Sequence, residues 1–347
     1  MVQVGRLISP PPQVLKCGNL DSRFQAVDDE LTHKSGGSLE PEEPRPPLGN
    51  FVMTLKTHLL LLLVVWVGLA PYAWAEEKTA TREGPTEELR AKAEKGDAGS
   101  QNNLGLAYFN GHGVPKDIAE AVKWWRKAAE QGYAGSQHNL GVAYLNGHGV
   151  PKDEGEAVKW WRKAAEQGYA LSQHSLGLAY LDGHGLPKDE AEAVKWWRKP
   201  AEQGDASSQH SLGFAYAYGH GVPKDEAEAV KWWRKAAEQG NADSQFGLGV
   251  AYDNGHGVAK DGAEAVKWYR MAAEQGDVSA QNNLSLKYAR GEGVPKDDVL
   301  AYKWILLAGA TREKSRETIQ LIENRLTPEQ RAEGQKLARE FKPVIQK

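Results

Sequence analysis

The sequence repeats itself with a period of 36 residues. Six successive copies run from about residue 97 to residue 312, and three residue types keep their place in every copy. A fixed period of roughly 20–50 residues is typical of stacked repeats, in which one small unit cannot bury its apolar face alone. The recurring residues are Gly96, Gly132, Gly168, Gly204, Gly240 and Gly276; Gln101, Gln137, Gln173, Gln209, Gln245 and Gln281; and Tyr108, Tyr144, Tyr180, Tyr216, Tyr252 and Tyr288. We call a set of equivalent positions in successive copies a column.

Each copy begins with the pattern of a helix. In the first copy, four residues stand at positions i, i+3, i+4 and i+7, which lie on one helical face: Gln101, Leu104, Gly105 and Tyr108. A glycine inside a helix costs about 1 kcal/mol relative to alanine. Gly105 therefore predicts that another helix approaches closely at this point.

The segment after the first helix carries stop and start signals. Gly111 is typical of a helix C-cap, Pro115 prevents the helix from continuing, and Asp117 predicts the N-cap of a second helix. Glu120, three residues after Asp117, predicts a reciprocal capping box. The same pair returns as Asp153/Glu156, Asp189/Glu192, Asp225/Glu228 and Asp261/Glu264.

The second helix of each copy is amphipathic and rich in tryptophan. Ten of the 12 tryptophans occupy two columns of this helix. In the first copy the apolar residues fall within about half of the helix circumference; they are Ala121, Val122, Trp124, Trp125, Ala128 and Ala129. One helix pair cannot enclose two indoles, so we interpret the tryptophans as the core of a stack of repeats. The alternative is an exposed platform for sugar rings.

The sequence predicts a capping segment at each end of the repeat array. A half-repeat precedes the first copy, so the array spans residues 86–312, and residues 313–347 predict C-terminal capping helices. Thr327 and Gln330 have the spacing of an N-cap and its capping box. Pro200 stands late in a second helix where other copies have alanine, and it predicts a local bend.

The N-terminal part has a different character. Residues 1–52 are rich in proline and glycine, and we expect them to be a disordered upstream extension that is not native to the protein. Residues 53–75 have the pattern of a signal peptide, with cleavage near Ala75 and an apolar stretch too short to span a bilayer. Residues 76–85 read as a linker. The expected mature chain is periplasmic or secreted, has no membrane-spanning segment and lacks the single cysteine, Cys17.

Five copies carry a histidine between two glycines in the turn: His112, His148, His184, His220 and His256. Packed helices lie about 8–10 Å apart, whereas zinc–imidazole bonds are about 2.0–2.1 Å long. Successive loop histidines are therefore too far apart to share a metal ion. We predict neither a metal site nor a cofactor, and we interpret these histidines as polar turn residues between glycines with unusual backbone angles.

The motifs L-G-x-A-Y, G-x-G-V-P-K-D and A-V-K-W-W-R-K-A-A-E-Q-G resemble the Sel-one-like repeat (SLR) family, exported bacterial type, a relative of the tetratricopeptide repeats. The resemblance covers residues 86–312 and implies an all-α fold, an α/α right-handed superhelical solenoid of helix-turn-helix repeats. It also implies a protein-binding scaffold, in bacteria often one of the envelope or of contact with host cells. Some secreted, cysteine-rich members have been linked to β-lactam hydrolysis, but disulfides staple their repeats and the expected mature chain has no cysteine.

First-helix positions that vary between copies are the candidates for a binding groove. First helices line the concave side of tetratricopeptide-like arrays, so variable residues there are free to contact a partner. The alternative is that some of them only pack between neighbouring first helices. The candidates are Phe109, Asn110, His138, Asn146, His174, Asp182, His210, Tyr218 and Phe246.

We therefore expect an exported scaffold that binds a protein or peptide partner on its concave surface and has no catalytic residues. A net charge of −3 does not indicate a nucleic-acid surface. The alternative is a β-lactamase-like or cell-wall-directed hydrolase, which needs a nucleophile within hydrogen-bond reach of a base. Ser136 and His138 are two positions apart on one helix and face different sides, so that pairing cannot form a dyad.

Overall fold

The computed structural model describes residues 87–309 and 313–344. These residues form helices joined by short turns, and they contain no strand. The expected upstream extension, signal peptide and linker (residues 1–52, 53–75 and 76–85) lie outside the described residues. Within the described part of the chain, every helix is too short or too polar to cross a bilayer.

The described residues contain a half-repeat helix, six helical hairpins and two C-terminal helices. The half-repeat helix is α1 (Glu87–Glu94). The first helices of the hairpins are α2 (Ala98–Asn110), α4 (Ala134–Asn146), α6 (Ala170–Asp182), α8 (Ala206–Tyr218), α10 (Ala242–Asn254) and α12 (Val278–Arg290). The second helices are α3 (Ile118–Glu130), α5 (Glu154–Glu166), α7 (Glu190–Glu202), α9 (Glu226–Glu238), α11 (Gly262–Glu274) and α13 (Asp298–Leu307). The C-terminal helices are α14 (Glu313–Glu323) and α15 (Pro328–Glu340).

From α1 to α13, each helix packs against its neighbours in the sequence, which makes the array a solenoid, and both α14 and α15 pack on α13. The predicted all-α, right-handed superhelical solenoid is therefore confirmed. The apolar core runs from repeat to repeat: Trp160 of the second repeat packs in one cluster with Ala121 and Trp125 of the first. Stacking thus supplies the second wall that a single hairpin lacks.

The tryptophans of the repeats form the core, as predicted, and among them only Trp196 is partly exposed. Trp125 is 1% exposed and Trp124 is 8% exposed, so their rings offer no open platform to a sugar. A Cβ atom added to Gly105 would lie 2.5 Å from Cδ1 of Trp125. The glycine column therefore lets the first helix sit directly on the indole, which confirms the predicted close approach.

The invariant glutamine and tyrosine columns hold helices together through hydrogen bonds. The side chain of Gln101 donates to the carbonyl of Ala93 at 2.9 Å, and its oxygen accepts from Gln131 at 2.7 Å. Arg126 donates to the hydroxyl of Tyr144 in the next repeat at 2.6 Å. Because buried polar groups need partners, these columns keep their residue type.

The turn between the two helices is built largely as predicted. Gly111 caps the first helix in the left-handed region at φ 73°, and the Asp117 carboxylate accepts from the Glu120 backbone N–H at 2.9 Å. The predicted reciprocal half of the capping box is wrong. The backbone N–H of Asp117 already donates to the carbonyl of Tyr108 at 2.9 Å, so the Glu120 side chain pairs with Lys123 instead.

Two other predicted features concern helix ends. Thr327 and Gln330 form the predicted capping box at the start of α15. Helix α7 continues through Pro200 to Glu202, and the bend expected there stays a prediction. The Pro200 repeat nevertheless differs from the repeats on either side, because the side-chain oxygen of Gln173 is buried without a hydrogen-bond partner. The equivalent oxygens of Gln101, Gln137, Gln209 and Gln245 accept from the glutamine that ends their second helix, and only that of Gln281 in the last repeat likewise lacks a partner in the described residues.

Candidate binding surface

The histidine column of the first helices lies between neighbouring repeats. His138 in α4 and His210 in α8 are buried, and so is Phe246, which occupies the same column in α10. His174 in α6 is partly exposed. Contrary to the sequence prediction, the three buried side chains do not line an open groove, because the next first helix closes over them.

Each of these histidines makes a hydrogen bond to a serine of the next repeat. The ring nitrogen to hydroxyl distances are 3.1 Å for His138–Ser172, 3.0 Å for His174–Ser211 and 2.9 Å for His210–Ser244. The sequence argument considered only pairs within one helix, and it missed contacts between residues 34 positions apart. Only the stacking of repeats brings these groups together.

The buried Ser–His contacts are structural in their setting. Burial lowers the pKa of His138 to about 4, and the neighbouring His174 adds to the effect, so the His138 imidazole is neutral at pH 7. Ser172 is fully buried. A nucleophile and its base must meet a substrate as well as each other, and this pair has no surface on which a substrate could reach it.

The loop histidines have partners that the sequence argument missed. Three of them face a glutamate of the preceding repeat, and each glutamate is the first residue of its second helix. The Nδ1–Oε2 distances are 3.4 Å for His184–Glu154, 3.2 Å for His220–Glu190 and 3.4 Å for His256–Glu226. The same glutamates also pair with the loop lysines Lys152, Lys188 and Lys224. These three turns are therefore joined to the preceding repeat through a His–Glu–Lys cluster.

A signal for this pairing is present in the sequence. The glutamate column holds Ile118 in the first copy and Gly262 in the fifth. In the sixth copy, where the loop faces Gly262, the histidine is replaced by Glu292, whose carboxylate instead pairs with Lys287 at 2.9 Å. Histidine and glutamate are thus replaced together at this boundary, whereas His148 keeps its place in the loop that faces Ile118.

The second glycine of the G-H-G turn has its own role. A Cβ atom added to Gly185 would lie 2.2 Å from the carbonyl oxygen of Glu154. The turn therefore rests directly on the backbone of the preceding repeat. In the described residues, no group of three or more His, Cys, Asp or Glu side chains is placed to hold a metal ion.

The repeats match a known family along more than half of the chain. The family profile of the Sel1 repeat matches residues 98–133, 134–169, 170–205, 206–241, 242–277 and 278–310. The chain belongs to the Sel1 repeat family. Sel1 repeats generally mediate protein interactions, so the six repeats are best read as a scaffold for such contacts.

Two solved structures of Sel1-like proteins share the fold. One is c5321, a protective antigen present in uropathogenic Escherichia coli strains displaying an SLR fold, with 39% identity and a TM-score of 0.65 over 73% of this chain and 55% of that chain. The other is a Sel1 repeat protein from Oxalobacter formigenes, with 35% identity and a TM-score of 0.60 over 65% of this chain and 92% of that chain. This chain therefore spans about half of the length of c5321. No curated protein matches it.

The remaining candidates lie at the C-terminal ends of the first helices of the Sel1 repeats. Phe109, Asn110 and Asp182 are partly exposed, and Asn146 and Tyr218 are exposed. They stand beside the loops that carry the histidines, so the first-helix ends and the loops form one edge of the array. We call this edge the turn edge.

The turn edge carries an aromatic cluster in the fourth Sel1 repeat. The buried ring of Phe214 stacks on His220 with centroids 5.4 Å apart and planes at 15°. Tyr218 packs on Phe214 at 4.7 Å and is 36% exposed. An aromatic side chain is thus held at the surface by two neighbours.

Proposed function

We propose that the chain is an exported Sel1-repeat scaffold that binds a protein or peptide partner on the first-helix side of the array, along the turn edge, without catalysis of its own. Membership of the Sel1 repeat family supports protein binding as the general activity. The two structural relatives are known from their fold and, for c5321, as an antigen. The partner-contacting residues are argued from this chain alone.

One observation carries the proposal. The last column of the first helices changes from copy to copy, although the neighbouring core columns do not. Its residues are Asn110, Asn146, Asp182, Tyr218, Asn254 and Arg290, and all of them are partly or fully exposed. A regular array whose exposed helix ends differ between repeats can recognise a partner through a particular order of side chains.

Tyr218 is the proposed anchor of this surface. Aromatic residues supply large contact area at low cost in conformational entropy and are enriched among interface residues that dominate binding energy. Because Phe214 and His220 already hold the ring, little freedom is lost when a partner covers it. Asp182, one repeat earlier, would favour a basic group next to the aromatic contact.

Site-specific photo-crosslinking in the exporting cell tests the surface. A photoreactive phenylalanine analogue at position 218 should give a discrete crosslinked species, and one at position 133 should not. Tyr133 is the matched control because it is a similarly exposed tyrosine, 40% against 36%, at the opposite edge of the array. Equal crosslinking at both positions would remove the turn edge from the proposal.

Binding measurements with the crosslinked partner complete the test. Tyr218→Ala should weaken binding at least tenfold, whereas Tyr133→Ala should not. Both tyrosines are exposed, so both variants should keep the helix content of the parent by circular dichroism. If Tyr218→Ala binds as tightly as the parent, the anchor is elsewhere.

Export is proposed on the pattern of residues 53–75 and has its own test. The exported protein should begin at Glu76 when its N-terminus is sequenced from the periplasm or medium. Replacing both Ala73 and Ala75 with arginine should leave an uncleaved precursor, because signal peptidase reads small residues at these places. A parent protein found uncleaved in the cytoplasm would rule out export.

A further inference from the structure

The C-terminal tail lies along the seam between two second helices, α11 and α13. Phe341 is extended at φ −63° and ψ 130°. Its ring meets Trp304 of α13 edge-on, with centroids 5.6 Å apart and planes at 71°. Three residues further on, the backbone N–H of Val344 donates to the carbonyl of Glu274, the last residue of α11, at 2.8 Å. The tail therefore contacts both helices of the seam.

Two more features define this tail site. The Nζ of Lys303 lies 4.2 Å from the ring centroid of Trp304 and 5.4 Å from that of Phe341, so one cation serves both rings. The last four carbonyls of a helix have no partner within the helix. The carbonyl of Glu274 can thus accept from an external N–H without breaking a helical hydrogen bond. An aromatic ring, a lysine and a helix-end carbonyl together hold an extended segment.

The same three groups recur in the seam between α5 and α7, three repeats earlier. The equivalents of Trp304, Lys303 and Glu274 there are Trp196, Lys195 and Glu166. Trp196 packs against the same part of the core, next to Val158 and Ala165 of α5. The residue types that hold the tail at one end of the array are therefore present in its middle, where the ammonium of Lys195 pairs with Glu192 at 2.8 Å.

The α5–α7 seam is more open than the other seams at its tryptophan. Trp196 is partly exposed, whereas its equivalents are all buried: Trp124, Trp160, Trp232, Trp268 and Trp304. A cavity of about 530 Å³ lies beside this seam on α5 and the next turn, and its lining includes Val158, Trp160, Glu166 and Leu186 but no residue of α7.

Pro200 removes one backbone donor from α7. A proline has no N–H, so Pro200 cannot donate to the carbonyl of Trp196 four residues earlier. The backbone carbonyl of the partly exposed Trp196 therefore lacks its usual helical donor. The partly exposed ring and the missing N–H of this repeat belong to the same turn of α7.

We propose that the α5–α7 seam binds an extended segment of a partner protein in which an aromatic residue stands three positions before a residue with a backbone N–H. The aromatic ring packs against Trp196 beneath Lys195, and the N–H donates to the Glu166 carbonyl. The tail residues 341–344 show this chemistry at the equivalent place. The site lies on the second helices and is separate from the turn edge, so it goes beyond the proposed function. An experiment can therefore refute the seam site without refuting binding at the turn edge, and the reverse.

The chain itself supplies the probe. A fluorescently labelled peptide with the sequence of residues 338–347, AREFKPVIQK, is titrated with the purified chain and followed by anisotropy. We expect saturable binding that weakens at least tenfold when the peptide carries Phe341→Ala, or when the chain carries Trp196→Ala or Lys195→Ala. Lys195 is exposed, so its variant keeps the fold even if the Trp196 variant does not. The Tyr133→Ala chain should bind the peptide as the parent does.

The stoichiometry separates the two seams. The parent chain should bind one peptide, because its own tail fills the α11–α13 seam. A chain that carries Phe341→Ala in its own tail should bind two. An absence of binding, binding that survives both Trp196→Ala and Lys195→Ala, or binding only to the chain with the altered tail would each overturn the proposal.

Discussion

At the scale of single residues, the two helices of a repeat can approach closely because a glycine of the first helix packs against an indole of the second. A Cβ atom on Gly105 would lie 2.5 Å from Trp125 and 3.1 Å from the carbonyl oxygen of Ala121. The sixth repeat is the informative exception. It has Ser285 in the glycine column and Ile305 in the tryptophan column, and the serine hydroxyl donates to the Ala301 carbonyl at 2.7 Å. The smaller side chain of Ile305, compared with tryptophan, thus leaves room for Ser285 in the glycine column.

The first prediction concerns two glycines of α2. Gly105→Ala should lower the free energy of unfolding by about 1–3 kcal/mol, because the added methyl group overpacks a buried indole. Gly99→Ala in the same helix should be neutral or stabilise by up to about 1 kcal/mol, since the nearest atom to its new Cβ is 3.6 Å away. Urea denaturation of both variants measures the difference, and equal effects would contradict the packing argument.

The second prediction concerns the pH dependence of stability. The pKa of His138 is lowered by burial from 6.5 to about 4, so the unfolded chain binds a proton first as the pH falls. The contribution of this histidine to the free energy of unfolding is complete above pH 6.5. It is lost as the pH falls towards 4, at no more than about 1.4 kcal/mol per pH unit. His138→Asn should therefore lose less stability than the parent between pH 7 and pH 5.

Asparagine is the suitable replacement because the first repeat already uses it. Asn102 occupies the same column and accepts from the Ser136 hydroxyl at 2.9 Å, so the contact to the next repeat survives the change. His148→Asn, on an exposed loop, is the control and should keep the parental pH profile. Superimposable profiles for the parent and His138→Asn, measured by denaturation across this range, would show that the burial argument is wrong.

At the scale of one element, α7 shows what a proline inside a repeat changes. Three neighbouring features differ from the repeats on either side. Trp196 is partly exposed, the indole of Trp197 donates to the His174 carbonyl at 3.1 Å, and Gln173 lacks the hydrogen bond that Gln137 and Gln209 accept. All of them lie on or against α7, the helix that contains Pro200. The departures from regular packing are thus concentrated around the helix that contains the proline.

The third prediction follows from this helix. Pro200→Ala should stabilise the chain by about 1–3 kcal/mol, because an interior proline costs about 3 kcal/mol and the gain is partly offset by a freer unfolded chain. It should also reduce the quenching of tryptophan fluorescence by acrylamide as Trp196 becomes buried. Pro187→Ala, in the exposed turn of the same repeat, should do neither. Unchanged quenching in Pro200→Ala would mean that the proline is not the cause of the exposure.

At the scale of the whole molecule, the interfaces between successive repeats are nearly identical. Each repeat contacts mainly its two neighbours, through the Gln, Arg–Tyr and Glu–His bonds and the tryptophan core. Stability in such an array is approximately a sum over repeats and their interfaces. The ends are closed by α1 on one side and by α14, α15 and the tail on the other.

The fourth prediction tests this modularity. Deleting residues 134–169 joins Tyr133 to Ala170, which is the junction that Tyr169 makes in the parent. The shortened chain should keep its helical signal per residue and unfold cooperatively, with lower stability because one interface is lost. Deleting residues 142–175 instead joins Gly141 to Leu176 and leaves two extra residues inside a first helix. The apolar face after the junction is then rotated by about 200°, so this product should be unfolded or aggregated. Equal behaviour of the two deletions, by circular dichroism, would contradict a fixed period.

The repeat architecture could be predicted from the sequence because its determinants are local and occur six times. Helical spacing indicates the buried face of each helix, as for Leu104, Gly105 and Trp125. Residue type indicates the helix ends, because Asp117 favours an N-cap and Gly111 a C-cap. The candidate binding surface could be predicted only in part. Exposed positions such as Asn146 and Tyr218 vary between copies, but so do the buried His138 and Phe246 columns, and variation alone does not distinguish the two.

By itself, the sequence determined the helix pair, its period, its caps and the membership of the Sel1 repeat family, since these depend on residues within one turn or one repeat of each other. Only the tertiary structure decided which polar groups meet. His138 reaches Ser172 over 34 residues and Glu190 reaches His220 over 30. Burial is a property of the neighbouring repeat as much as of the residue itself. For that reason, the choice between core and binding surface had to wait for the stacked helices.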